Sequence, residues 1–438
     1  MQRLLLLSLL GLACVAQAAP FNVATFTPTV TRYQGTLYIP ARPLAEMIGA
    51  EITETSKGAA TLKLGTKSVT FTPGKDGAFA LFNGGLAVPL RACADALGIA
   101  VADGRTAVVL TAPGQPPMTF SVEETWGETS DCYDHAWTLF MMKPDGAGLR
   151  RLSYRNAGGM GVGMVSFAPD GAFLLTYNEN GQAVMRPAAT REERVVCGLG
   201  GAGLGMTLPV SADGMAFFLH WDGQVSRIGL ADGVKKVICP ASDYAVSPSG
   251  KYLAAVQNQR GATGKLMMIS LETNEQRELG FGTNPVFAPD SNRLIFRVAG
   301  KDDQGKESDA LVLCTLQPAE DRTAYRLPGG RNIPLAFNPD GRQLLFNSYA
   351  SRALCVLDFA AGKMRKLAAW QNDMQFLLPR FTADGKAVIA LQADGDLYRI
   401  AADGSRITRL TKGFRIETFT VTPDGEYVVF LGMGKEGE

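Results

Sequence analysis

From about residue 165 to the C-terminus, short apolar runs alternate with one polar signature. It appears as Ala168-Pro169-Asp170-Gly171, Ser211-Ala212-Asp213-Gly214, Ser247-Pro248-Ser249-Gly250, Ala288-Pro289-Asp290-Ser291, Asn338-Pro339-Asp340-Gly341, Thr382-Ala383-Asp384-Gly385 and Thr422-Pro423-Asp424-Gly425. Asp-Gly suits a tight hairpin, and a preceding Pro cannot continue a strand ladder. Each signature therefore predicts a turn between two strands. The strand after it is apolar throughout, as in Phe173-Leu174-Leu175, Leu344-Leu345-Phe346 and Val428-Val429-Phe430, which suits a strand covered on both faces. A second turn follows, as at Asp403-Gly404, so each unit holds four strands. The markers are spaced by 43, 36, 41, 50, 44 and 40 residues, the period of propeller blades. The expected fold is mainly β: a seven-bladed β-propeller spanning residues 133–438.

Residues 137–152 have the form of a third and fourth strand with no first pair before them, and residues 418–431 form a first pair with nothing after it. Joined, they complete a seventh blade and close the ring without open strand edges.

Residues 20–113 carry a different pattern, and carry it twice. Residues 37–50 and 86–99 share the form apolar-x-apolar-Pro-x-Arg, then Ala-acidic-x-apolar-Gly. This predicts a short strand ending at Pro40 or Pro89, a helix of two turns, and a C-cap at Gly49 or Gly98. Strand-like stretches follow each helix, so the unit is a compact α+β duplication. Arg42 and Arg91 occupy matched positions, which favours a structural role such as pairing with a carboxylate inside each half. Residues 114–132, with Pro116-Pro117, read as a semi-rigid linker.

Met1-Gln2-Arg3, the apolar run Leu4 to Val15 and Ala16-Gln17-Ala18 match a signal peptide cleaved near residue 19. The run falls short of the roughly 20 residues that span a bilayer. Lipidation at Cys14 ranks second, because Gly11 stands where a lipobox wants an aliphatic residue. The chain is thus expected to be extracytoplasmic, either periplasmic or secreted. Its 43 Lys plus Arg balance 42 Asp plus Glu, which argues against a nucleic-acid partner. After signal removal six of seven cysteines remain, expected mainly as buried thiols, with Cys93–Cys132 the pairing hardest to exclude.

The duplicated Pro-x-Arg helices resemble the N-terminal stalk domain of copper amine oxidases. Oxidase chemistry in that family needs three histidines and a tyrosine-derived quinone in a separate domain, whereas this chain has only His135 and His220. The resemblance therefore implies a non-catalytic accessory module and no cofactor. The Pro-Asp-Gly repeats are similar to those of TolB-like and WD-like propellers and of the propellers attached to prolyl-oligopeptidase-type peptidases. No Gly-x-Ser-x-Gly elbow accompanies them, so the resemblance implies architecture without peptidase activity.

The Gly198–Gly205 run lacks the helix and Lys-Ser/Thr of a phosphate loop and reads as an interblade loop. The acidic stretch Lys301 to Asp309 lacks EF-hand spacing and carries two lysines, so it reads as a solvated loop. Trp221, in His220-Trp221-Asp222-Gly223, suits ligand stacking and interblade packing equally. No catalytic, cofactor or metal residues are assigned. Loops between second and third strands vary most and offer Asn178, His220, Trp221, Arg260, Tyr349 and Arg352 as candidate partner contacts. The resulting expectation is a non-enzymatic binding or scaffold protein whose partner is a protein or glycan of the cell envelope. The alternatives are a propeller-channel enzyme, either a lyase or glycoside-active, and an envelope structural protein.

Overall fold

The structure is a computed structural model and describes residues 30–55, 58–80, 86–105, 107–124, 138–151, 165–177, 181–187, 194–199, 208–260, 263–317, 321–370 and 375–433. Two helices and 37 strands occur among them. The expected signal peptide and Cys14 lie outside the described residues, as do Cys132, His135 and Asn178.

The N-terminal unit is built from the duplication. Helices Ala41–Ile48 and Leu90–Leu97 each follow a proline and end at a left-handed glycine, Gly49 (φ 68°) or Gly98 (φ 74°). The strands before them, Thr36–Pro40 and Leu86–Pro89, pair antiparallel in a seven-stranded sheet. Arg42 pairs with Glu54 and Arg91 with Asp103, the carboxylate twelve residues further on in each half. Asp103 also takes Arg32, and the two guanidiniums, Arg32 first, hold its carboxyl below the usual range. Met118–Glu124, expected in the linker, is a strand of this sheet between Val30–Tyr33 and Ala107–Thr111. Its Phe120 is fully buried with Leu44, Ile48, Leu90 and Leu97.

The repeats form six consecutive sheets, of which the second shows three strands and the others four, and a further sheet shared by both ends of the region. In sheets one and three to six, four successive strands pair as an antiparallel meander. At the hairpins, the marker Asp accepts a backbone N–H two residues on, as Asp170 does from Ala172 and Asp384 from Lys386. The residue after the marker takes positive φ in every copy, including Ser291 at 59°. Glycine suits that position because it has no Cβ to clash.

Every sheet is apolar on both faces, and each core lies between neighbours. In sheet five, Phe346 and Leu357 meet Ile295 and Leu311 of sheet four, while Leu345 and Val356 meet Phe376 and Val388 of sheet six. In the shared sheet, Thr138–Met142 pairs with Val428–Met433. One face of it packs on sheet one through Val165 and Leu174, and the other on sheet six through Ile389 and Leu391. Phe140 stacks on Phe430 at 5.2 Å and meets Phe414 edge-on at 5.1 Å. First strands of consecutive sheets pack side by side from Asp243–Val246 through Arg415–Val421, which in turn lies beside Val165–Phe167. These first strands are the inner strands.

Because Phe430 ties both ends together, Phe430→Ala is expected to cost about 3–5 kcal/mol. Removal of residues 418–438 should lower the melting temperature of the whole repeat region. Thermal unfolding followed by circular dichroism checks both, and an unchanged midpoint in the truncated protein would exclude a structural role for the shared sheet.

Candidate functional site

Three buried or half-buried carboxylates bind backbone N–H groups of the next sheet's entry, all at the end opposite the Asp-Gly hairpins. Asp309 accepts the Asn332 N–H at 2.6 Å, Asp396 the Phe414 N–H at 3.2 Å, and Asp243 the Asn284 N–H at 3.1 Å. Two of the three are neutralised. Arg297 forks onto Asp309 at 2.7 and 3.1 Å, and Arg409 binds Asp396, also through Nε at 3.1 Å. Buried carboxylates need such compensation.

Asp243 forms no ion pair. It accepts the Tyr244 N–H at 2.8 Å and the Asn284 side-chain amide at 3.4 Å. Burial pushes its carboxyl above the usual range, against the opposing pull of these hydrogen bonds and of His220. His220, at the end of strand Ala216–Trp221, places Nε2 2.9 Å from the Ala241 carbonyl. A carbonyl only accepts, so Nε2 carries a proton and donates to it. The imidazole lies 5.9 Å from the Tyr244 ring. Tyr244 donates to the Phe218 carbonyl at 3.4 Å, and burial raises its phenol pKa. Sheets two, three and four thus meet around one uncompensated acid.

Arg380 is the counterpart of opposite sign. It lies on the inner strand Leu377–Phe381 of sheet six and is exposed, and its side chain has no hydrogen-bond or ion-pair partner among the described residues. Desolvation nonetheless lowers its pKa, so protein surrounds a guanidinium that water still reaches. A groove of about 690 Å³ opens elsewhere, at the hairpin end of sheets three and four beside Tyr252 and Gln317. It contains neither Asp243 nor Arg380.

The other sequence candidates divide. Trp221 packs half-buried against the core between sheets one and two. Tyr349 meets Trp370 edge-on at 4.9 Å, lies under the Arg331 guanidinium at 4.5 Å, and donates to Gln375 at 3.1 Å. Arg352 is exposed in the same turn at φ 46°. Arg260 ends the strand Tyr252–Arg260, and its side chain lies outside the described residues. Asp309, read as the end of a solvated loop, lies with Arg297 inside a ladder that runs on to Lys301 and Glu307. Among the described residues there is no disulfide, and burial pushes Cys93 up to about 12. Among the described residues no group of three His, Cys, Asp or Glu could hold a metal ion, and no helix is long and apolar enough to cross a membrane.

No protein-family model matches the chain, and no curated protein matches it in sequence. Solved structures do share its fold. A TolB-like protein from Agrobacterium tumefaciens is 16% identical, covering 55% of this chain and 93% of its own, with a TM-score of 0.38. An oligogalacturonate lyase from Vibrio parahaemolyticus is 12% identical over 69% of this chain and 98% of its own, TM-score 0.47. A further oligogalacturonate lyase, solved with manganese, is 15% identical over 77% and 96%, TM-score 0.46. At such identities the likeness concerns the fold alone: the repeat region is a β-propeller.

The comparison corrects the expectation of a non-enzymatic scaffold, because propellers of this general kind include enzymes. Lack of a hydrolase elbow or an oxidase histidine set excludes those two chemistries and no others. A propeller site is assembled from side chains of several repeats and leaves no linear motif.

The raised pKa of Asp243 has a definite sign. An acid whose folded pKa exceeds its unfolded value of about 3.9 contributes most to stability below that value, and the contribution is lost as pH rises through the folded pKa. Asp243→Asn should therefore gain stability relative to the native protein as pH is raised from about 4 to 7. Denaturant unfolding across that range tests it, and a constant difference would show that ionising Asp243 carries no penalty.

Proposed function

We propose that the seven sheets close into a seven-bladed ring around a central channel, and that the protein is an enzyme working where inner strands open on the face opposite the hairpins. The reaction class is proton transfer on a polar substrate, of the lyase or glycoside-active kind. The observation that carries this reading is Asp243, the seam carboxylate that lacks the arginine given to Asp309 and Asp396. A carboxyl with a raised pKa beside an imidazole is suited to general acid–base work near neutral pH. In this reading Asp243 donates or accepts the proton at the substrate, with Asn284 fixing its orientation. His220, held through Nε2, supplies Nδ1 as a second acceptor. Tyr244 stays protonated and holds the inner strand of sheet three against sheet two.

The duplicated N-terminal unit is proposed as a stalk-like accessory module, and the chain as extracytoplasmic. The twofold Pro–helix–Gly pattern and the leader-like N-terminus of the sequence support these assignments.

The test is a screen of the purified protein against neutral and uronate-containing oligosaccharides, scored for new reducing ends and for unsaturated products by ultraviolet absorbance. Asp243→Asn is expected to lower the turnover found by about 10²–10⁴-fold with the fold retained. Absence of turnover across the panel, or full activity in the variant, would overturn the reading.

A further inference from the structure

We infer that Arg380 is a recognition site for an oxyanion, a carboxylate or phosphate group carried by the substrate. This rests on the reading that the inner strands hold the functional site, and it names the substrate's charge.

The repeats supply an internal comparison. Four residues before each marker, the inner strands carry Ser166, Pro209, Ala245, Val286, Ala336, Arg380 and Thr420. Six of the seven are neutral and modest in size, and Ala245, Val286, Ala336 and Thr420 are half-buried. Sheet six alone places a long cation at this level. Glu417, on the adjoining inner strand Arg415–Val421, forms no ion pair with it, and Asp243 is held instead by Tyr244 and Asn284. Arg297, Arg409 and Arg365, by contrast, each have a carboxylate or carbonyl partner.

The backbone ahead of Arg380 is also specialised. The pairing of Leu377–Phe381 with Ala387–Leu391 slips between Leu377 and Arg380, and Leu378 sits in this bulge at φ 50°. A leucine is strained there, and bulges re-aim the side chains that follow them. The matching bulge in sheet four places Asn284 at φ 54°, the residue that orients Asp243. The inner strands of sheet five and of the shared sheet slip in the same way without a left-handed residue, so the positive φ at Leu378 and Asn284 is what sets these two strands apart. A planar guanidinium with no partner among the described residues matches the paired oxygens of a carboxylate or phosphate.

The experiment is isothermal titration of the full chain with inorganic phosphate, D-glucuronate and, as neutral control, D-glucose, at low salt. Native protein should bind one of the two oxyanions, phosphate pointing to a phosphate ester and glucuronate to a carboxylate substrate. Arg380→Gln should weaken that binding at least tenfold without lowering the melting temperature, because no hydrogen bond or ion pair to a described residue is lost. Arg380→Lys should keep part of it. Failure of the enzymatic reading is seen separately, as unaltered turnover in Asp243→Asn. Binding of neither oxyanion, binding indifferent to Arg380→Gln, or marked destabilisation by that substitution would overturn the inference.

Discussion

Each sheet of the repeat region is apolar on both faces, and from this the rest of its architecture follows. Such a sheet cannot be stable with one face in water, since burial of apolar area is the dominant favourable contribution to folding. Sheet five shows the consequence: alternate residues of Gln343–Ser348 enter two different cores, Leu344 and Phe346 towards sheet four, Leu345 towards sheet six. The two ends of the region combine in one shared sheet, whose faces meet sheets one and six.

Packing sheets face to face creates a polar difficulty where the chain crosses from one to the next. Each entry segment presents backbone N–H groups that the ladders do not use, and buried donors must be satisfied. The seam carboxylates answer this need, but a carboxylate placed there needs a counter-charge in turn. Arg297 and Arg409 come from the same sheets as the acids they neutralise, twelve and thirteen residues away. Asp243 performs the same bonding task for Asn284 without that help. Its neighbour in space is His220 of sheet two, and among the described residues no arginine pairs with Asp243.

How far the sequence is legible depends on whether a feature is local. The hairpin markers are readable because Asp170 and its equivalents act within three residues of backbone. The paired chain ends are readable because Thr138–Met142 and its following turn have the form of half a blade. Arg42 and Arg91 are readable because duplication repeats each residue together with its carboxylate. Asp243 and Arg380 escape such reading. The inner strands look like plain Val, Phe, Ser and Ala, and neither residue falls in a motif. Asp309 looks like a loop end because nothing in the sequence says how far a ladder extends. The one available signal was comparative: Arg380 breaks a column of small neutral residues across seven repeats.

That signal points to how function enters a repeat fold. Positions that serve the fold recur because every blade needs the same turn, the same apolar pair of faces and the same seam bond. A position that departs from its column is released from that common need. Trp221 departs in type yet is absorbed into the core between sheets one and two, so departure alone is insufficient. Arg380 departs, and its side chain also has no hydrogen-bond or ion-pair partner among the described residues, while Asp243 lacks the cation that Asp309 and Asp396 have. Burial raises the pKa of Asp243 although Tyr244 and Asn284 donate to it. The missing partner is then most simply a group that the chain does not contain, and the inner strands, where these two charges sit, are where it would bind.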